Sequence, residues 1–255
     1  MNEYKNTEDF KEKAGYEING TWLPRVTKIV SIKSKPALHY FYAGLKNYAE
    51  GERVKRLSAD EGTRIHEAVQ AILTGQSPTV DETTAPSIEA FEKFLEKNDI
   101  EVDPDYIERR VANFTHRFAG TIDALAMIHG KLGVMDIKTS QAIYRDYNLQ
   151  TAAYIATLKD DIPEIQTRWI LRIDQAHICT KCGAKLRNKG GRKKVKIDWG
   201  NVFMRACEHT WTPVPIGEVE LREFPFWESD FSAFLGAKTL WEWENEDWLK
   251  RIGYL

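Results

Sequence analysis

Long apolar runs are missing from this 255-residue chain, and none approaches the roughly 20 residues that span a bilayer. The opening stretch, MNEYKNTEDFKEK, is charged where a secretory signal would be apolar. A soluble, cytoplasmic protein with no membrane partner is therefore expected. Cysteine is scarce. Three residues cannot make a full set of disulfides, and Cys179 and Cys182 form a C-x-x-C pair, which in a reducing compartment points to metal or redox use before covalent cross-linking. Net charge is nearly absent as well: at −2 overall, the total argues for no partner. There is no internal repeat, and no low-complexity tract outside one basic segment.

What is present is enough to build a core. With 42% hydrophobic and 11% aromatic residues, one globular domain over 1–255 carrying an insertion is the default expectation. The charge is unevenly placed. Residues 179–196, CTKCGAKLRNKGGRKKVK, hold eight cations and no acid, so a mildly acidic body carries one concentrated basic segment that suits a polyanion.

Asn19-Gly20 between two β-prone runs predicts a hairpin with a type I′ turn. Residues 36–50 read as a helix. Ser58 followed three residues later by Glu61 predicts a capped helix start, leading into an apolar stripe of Ile65, Ala68, Val69, Ile72 and Leu73. A turn-rich connection over 74–87 precedes another helix at about 88–97. Strands are expected in 106–114, 116–130 and 131–140, the last two joined by a turn at Gly130. A helix over 148–160, a strand over 167–175, another over 216–224 and one or two closing helices complete a mixed α/β pattern.

The chemistry concentrates in KLGVMDIKTS. On a strand, Asp136 and Lys138 share one face, roughly 6.5–7 Å apart, while Met135 and Ile137 enter the core on the other. Asp123 interrupts the preceding apolar run, and a hairpin-like connection would place it beside Asp136. Two neighbouring carboxylates repel unless a cation lies between them, so the pair predicts a divalent ion. The plainer alternative makes Asp123 a turn residue and pairs Asp136 with Lys138 at a sheet edge. Asp123, Asp136 and the Ile137 backbone carbonyl are hard oxygen ligands suited to Mg²⁺. Phosphodiester hydrolysis needs an activated water and neutralisation of phosphorus oxygens, and Lys138 would serve the latter or orient the water.

G-T-I-D (120–123), M-D-I-K-T-S (135–140) and Y-N-L-Q-T-A-A-Y (147–154) together resemble the PD-(D/E)XK nuclease superfamily in its RecB-like branch, the group of the mitochondrial genome maintenance exonuclease and its phage relatives. The resemblance runs over residues 62–154. It implies a restriction-endonuclease-like fold, a mixed central β-sheet flanked by helices with a helical N-terminal part. It also implies His66 as a metal ligand favouring Mn²⁺ beside Mg²⁺, and Gln150 and Tyr154 as site residues on one helix face. Ile122 stands where the naming proline would be, and Asp136 where Glu is more frequent. By itself His66 reads better as an ordinary half-buried helix residue, and Glu108, next to Arg109 and Arg110, better as an exposed acid than as a further acidic site residue. The resemblance implies a DNA nuclease, an exonuclease on single strands or ends, phage-encoded and acting in a host cytoplasm. An endonuclease and a catalytically inactive nucleic-acid-binding scaffold are the alternatives.

Cys179, Cys182, Cys207 and His209 supply four ligands for a structural Zn²⁺, with His177 competing for the fourth place. Closure by metal would order a zinc-ribbon-like insertion over 176–211. Its Lys185, Arg187, Lys189, Arg192, Lys193 and Lys194 are candidates for phosphate contacts. Five tryptophans from Trp211 onward could stack bases, but the acids around Trp241, Trp243 and Trp248 favour helix packing.

Overall fold

The computed structural model describes residues 4–33 and 36–255, with the side chains of Pro36 and Ala37 left out. Helix α1 (Thr7–Ala14) runs into the expected hairpin, β1 (Gly15–Ile18) and β2 (Thr21–Pro24), whose Asn19 and Gly20 have φ of 51° and 73°. A short helix α2 (Val26–Val30) follows, burying Val26, Ile29 and Val30.

The stretch read as one helix over 36–50 is two. Helix α3 (Pro36–Ala43) ends before a turn, and α4 (Tyr48–Leu73) begins where the Asn47 side chain accepts the Glu50 amide. Ser58 is therefore no cap: it lies inside α4. Between Tyr48 and Ser58 only Gly51 disfavours helix, and one glycine does not stop a run of good helix formers. Helix α5 (Ala85–Leu95) starts earlier than expected, with Pro86 in its first turn, where a missing amide costs nothing.

The sheet strands are β3 (Ile100–Val102), β6 (Ala124–Ile128), β7 (Lys131–Lys138), β8 (Thr167–Ile178), β9 (Lys185–Lys189), β10 (Arg192–Lys196) and β11 (Ile216–Glu223). A separate antiparallel ribbon is formed by β4 (Arg109–Asn113) and β5 (Phe118–Ile122). The region expected as one strand over 116–130 thus breaks at Asp123, between β5 and β6. In the main sheet β7 and β8 run parallel and the other pairs antiparallel, with the order β10-β9-β8-β7-β6-β3 and β11 also paired to β8. The crossover from β7 to β8 is α6 (Asp146–Leu158), as a parallel connection requires. Helices α7 (Val202–Ala206), α8 (Glu228–Glu244) and α9 (Glu246–Arg251) complete the chain.

Helices cover the sheet on both faces, and the alternation along β7 sorts its side chains between them. Val134 packs with Ala153, Tyr154 and Ile155 of α6. Met135 and Ile137 pack with Ile65 and Val69 of α4 and with Ile88 and Phe91 of α5. Asp136 and Lys138 belong to the Val134 set. Trp241 and Trp248 stack on the buried Phe10 ring at centroid separations of 6.3 and 5.7 Å, so these two serve helix packing. Among the described residues no helix is long and apolar enough to cross a membrane.

Candidate functional site

The antiparallel register of β6 and β7 pairs Ala124 with Met135, which sets Asp123 at the position facing Asp136. Asp123 Oδ2 accepts the Ile137 amide at 2.6 Å and lies 3.2 Å from His66 Nε2. Helix α4 brings His66 to this point because its apolar stripe faces the sheet and His66 follows the buried Ile65. The ribbon supplies a third acid. Arg109 pairs with Ile122, so Glu108 stands opposite Asp123; the Glu108 amide donates to the Asp123 carbonyl at 3.2 Å. Glu108 Oε1 is 3.7 Å from His66 Nδ1 and accepts from Gln70 Nε2 at 2.6 Å.

Ligand atoms of His66, Glu108 and Asp123 lie within 4.8 Å of one another and could hold one ion. Glu108 is half-exposed, as its sequence neighbours suggested, yet it belongs to this group. Gln70 is the residue missed outright; its one legible signal was its place four residues after His66, on the same helix face.

Asp136 sits outside that trio, fully buried. Its Oδ1 accepts from Lys138 Nζ at 2.7 Å and from Gln150 Nε2 at 3.0 Å, the latter reaching in from α6. Its Oδ2 is 2.6 Å from the same ammonium but has no well-angled hydrogen bond, which leaves a buried carboxylate oxygen with an unused lone pair. The Asp136–Lys138 pair is real, but it lies on a central strand and not at a sheet edge. Gln150 Nε2 also lies 3.2 Å from the Tyr154 hydroxyl. Tyr154 is 1% exposed, so it acts on the site only through Gln150. Gly120, the first residue of G-T-I-D, makes room for it: a Cβ there would lie 2.4 Å from the Tyr154 ring.

The charges are mutually tuned. Burial, together with the Asp123 charge, pushes the Asp136 carboxyl up to about 6 against the pull of Lys138. Burial also opposes ionisation of Asp123, but His66, Lys138 and the Ile137 amide outweigh it and lower its pKa. The same competition ends with His66 and Lys138 raised, burial being overcome by Asp123 for the imidazole and by Asp136 and Asp123 for the ammonium. A cleft of about 510 Å³ opens above the group, lined among others by Ser58, Gly62, His66, Glu108, Ile137 and Lys138.

The cysteine segment closes on itself. Cys179 forms a backbone β-bridge with Trp211, fixing its two ends together at the tip of β8. Cys179 Sγ and Cys207 Sγ are 3.9 Å apart, and Cys182 Sγ is 3.4 Å from His209 Nδ1. Zn–S bonds of about 2.3 Å in a tetrahedron give an S–S edge of about 3.8 Å, so the four side chains already have the spacing of a closed zinc site. Burial disfavours the Cys179 thiolate, but the amides of Lys181, Cys182 and Thr210 with His209 outweigh it and bring its pKa to about 6. Burial and the adjacent thiols raise Cys207 to about 11, a conflict that a cation between them removes. His177, the competing fourth ligand, lies outside the group of Cys179, Cys182, Cys207 and His209, and its Nδ1 faces the Thr212 carbonyl at 2.7 Å. Cys179, Cys182, Cys207 and His209 form a cluster able to bind a metal such as zinc.

The six cations expected to meet phosphate divide into two sets. Arg187 Nε is shared between both oxygens of Asp174 at 2.7 Å, and its Nη2 reaches the Thr139 carbonyl at 3.2 Å. Lys189 is buried and donates to the same carbonyl, and Lys185 pairs with Glu218. These three bind the β9–β10 hairpin to the body. Gly190 completes the docking: with φ of 61° it lies so close to α4 that a Cβ would stand 2.3 Å from the Val54 carbonyl. Arg192, Lys193 and Lys194 remain along β10, with Arg192 over the Phe41 ring at 4.8 Å. No family model and no curated protein matches the chain.

Proposed function

We propose that the chain is a divalent-metal-dependent DNA nuclease of restriction-endonuclease-like fold, an exonuclease working on single strands or ends, with a zinc-ribbon-like insertion. The observation that carries this reading is the placing of Asp123, at the break between β5 and β6, opposite Asp136 of β7, with Lys138 beside them and an Asp136 oxygen that no hydrogen bond uses. A buried carboxylate with a free lone pair next to a second acid suits a hard cation. Asp123, Asp136 and the Ile137 carbonyl, with His66 and Glu108 at hand, would hold Mg²⁺ or Mn²⁺. When bound, such an ion supplies a more acidic water and neutralises phosphorus oxygens.

The chain's own groups do the rest. Lys138 stays protonated because Asp136 and Asp123 flank it, and it lines the cleft, where its ammonium can neutralise charge that develops on a phosphate. Gln150 fixes the orientation of the Asp136 carboxylate, and Tyr154 fixes Gln150. His66 and Gln70 hold Asp123 and Glu108 in place from α4. The test is a time course on DNA labelled at the 5′ or 3′ end, single- and double-stranded, with Mg²⁺ or Mn²⁺, against Lys138→Ala. Shortening from an end by the wild type and none by the variant is expected. Binding without any cleavage would leave an inactive scaffold, and cutting of closed circles an endonuclease.

A further inference from the structure

A second depression adjoins the cleft. It has a volume of about 690 Å³ and lies between α3 on one side and the β9–β10 hairpin and the β7–α6 loop on the other. Its lining combines two kinds of side chain. Tyr40, Tyr144 and Tyr147 contribute rings, Tyr40 being 79% and Tyr144 37% exposed. Arg192, Lys193 and Lys194 contribute charge, and Asp146 is the one acid among the described residues that line it. Exposed aromatic rings beside a row of cations match free bases and a phosphate backbone at once. A duplex offers the phosphates but not the base faces, which are already stacked.

The depression and the cleft share a wall. Ser58 of α4 lines both. Tyr147 lines the second and carries Lys138 Nζ 5.2 Å above its ring, while Lys189 lines it and donates to the carbonyl of Thr139, a cleft residue. A strand lying along α3 would thus come to the edge of the cleft, beside the Tyr147 ring that Lys138 covers.

We propose that α3 and the β9–β10 hairpin form a groove for single-stranded nucleic acid, with phosphates on Arg192, Lys193 and Lys194 and bases on Tyr40 and Tyr144. This rests on the nuclease reading for its substrate but is tested by binding alone. The hairpin is rooted at its far end in the Cys179, Cys182, Cys207 and His209 cluster, and these four residues, holding a zinc ion, would fix one wall of the groove.

The experiment is fluorescence anisotropy of a labelled oligothymidylate and of a duplex of equal length, without added divalent ions. Lys193 and Lys194 are exposed, so the K193A/K194A protein keeps its fold, as does Y40A. The double variant is expected to bind the single strand about tenfold more weakly, with a salt slope lowered by about 1.4, because each phosphate left without its cation removes about 0.7. Y40A is expected to lose about fivefold on the oligonucleotide and nothing on inorganic polyphosphate, because it removes a base stack and no charge. Wild-type affinity in both variants, equal affinity for the duplex, or equal competition by polyglutamate would overturn the groove. Failure of the nuclease reading looks different: tight single-strand binding that depends on these residues, with no cleavage when metal is added.

Discussion

Asp123 accepts the backbone amide of Ile137 through Oδ2 at 2.6 Å, so a side chain from one strand end is pinned to the residue between Asp136 and Lys138 on the next. The contact is structural as well as electrostatic, which makes Asp123→Asn informative. An asparagine oxygen can accept the same amide, so the fold survives, while the charge shared with His66 and any cation is lost. Cleavage is expected to fall by at least about a thousandfold with a melting temperature close to wild type, and calorimetric titration of Mg²⁺ or Mn²⁺ should show weakened binding. Wild-type turnover by this variant would refute a metal site centred on Asp123.

Lys138, partly exposed to the cleft, and the fully buried Asp136 form a pair whose partners cannot be removed one at a time without penalty. Lys138→Met leaves a fully buried carboxylate facing Asp123, and breaking such a pair costs about 3–5 kcal/mol. Adding Asp136→Leu to it should restore most of the loss, since the face around Asp136 already packs Val134 against α6. Urea denaturation of the two single variants and the double, in metal-free buffer, measures the coupling. Additive losses would show that the pair does not behave as one unit.

Arg168 is completely buried on β8 and ties three backbone carbonyls together, those of Asn148, Phe224 and Phe226, while pairing with Asp230. It links the start of α6, the helix that carries Gln150 to Asp136, to the segment before α8. A lysine cannot span these four acceptors. Arg168→Lys is expected to lose about 3 kcal/mol or more, and the melting temperature to drop by roughly 6–12 °C. Differential scanning calorimetry is the check, and a drop under about 2 °C would contradict the anchoring role.

The cysteine cluster predicts one tightly bound zinc per chain, measurable by released-metal colorimetry after thiol modification. Cys182→Ser should abolish it. Without metal the segment between Cys179 and Trp211 has few buried apolar residues to hold it, so hydrogen exchange is expected to rise through residues 180–210 while α6 and β7 stay protected. Unchanged exchange after metal removal would mean that the segment is ordered by its docking on α4 alone.

The sequence carried the order of elements and the pair of acids because both depend on local pattern. Strand alternation put Asp136 and Lys138 on one face, and the Asn19-Gly20 turn and the helix between parallel strands are short-range signals. What escaped it depends on register and distance. Glu108 joins His66 only because Arg109 happens to pair with Ile122, and nothing around it marks that pairing. Ser58 and Glu61 mimic a helix start but lie within α4; Glu61, half-buried and with its carboxyl raised chiefly by that burial, faces Lys189 and Arg187 of the hairpin. A run of cations reads as one solvated patch, yet three of the six are used to hold the hairpin down, which depends on acids and a carbonyl distant in sequence.

The seating of Lys189 is measurable through pH. Burial, with Arg187 nearby, lowers its ammonium to about 8 in spite of Glu61 and Asp174, whereas in the unfolded chain it titrates near the ordinary lysine value of about 10.4. Below pH 8 both states hold the proton and this residue adds no slope. Between about 8 and 10.4 the unfolded chain binds more protons than the native one, so stability from this residue rises with pH, by up to about 1.4 kcal/mol per unit. Lys189→Met lacks the titration. The difference in unfolding free energy between wild type and Lys189→Met should therefore shift toward the wild type from pH 8 to 10, with other lysines and thiols cancelling because both proteins carry them. A difference that stays flat across that range would mean that the ammonium is as well solvated in the fold as outside it, and that the hairpin is not seated on Thr139.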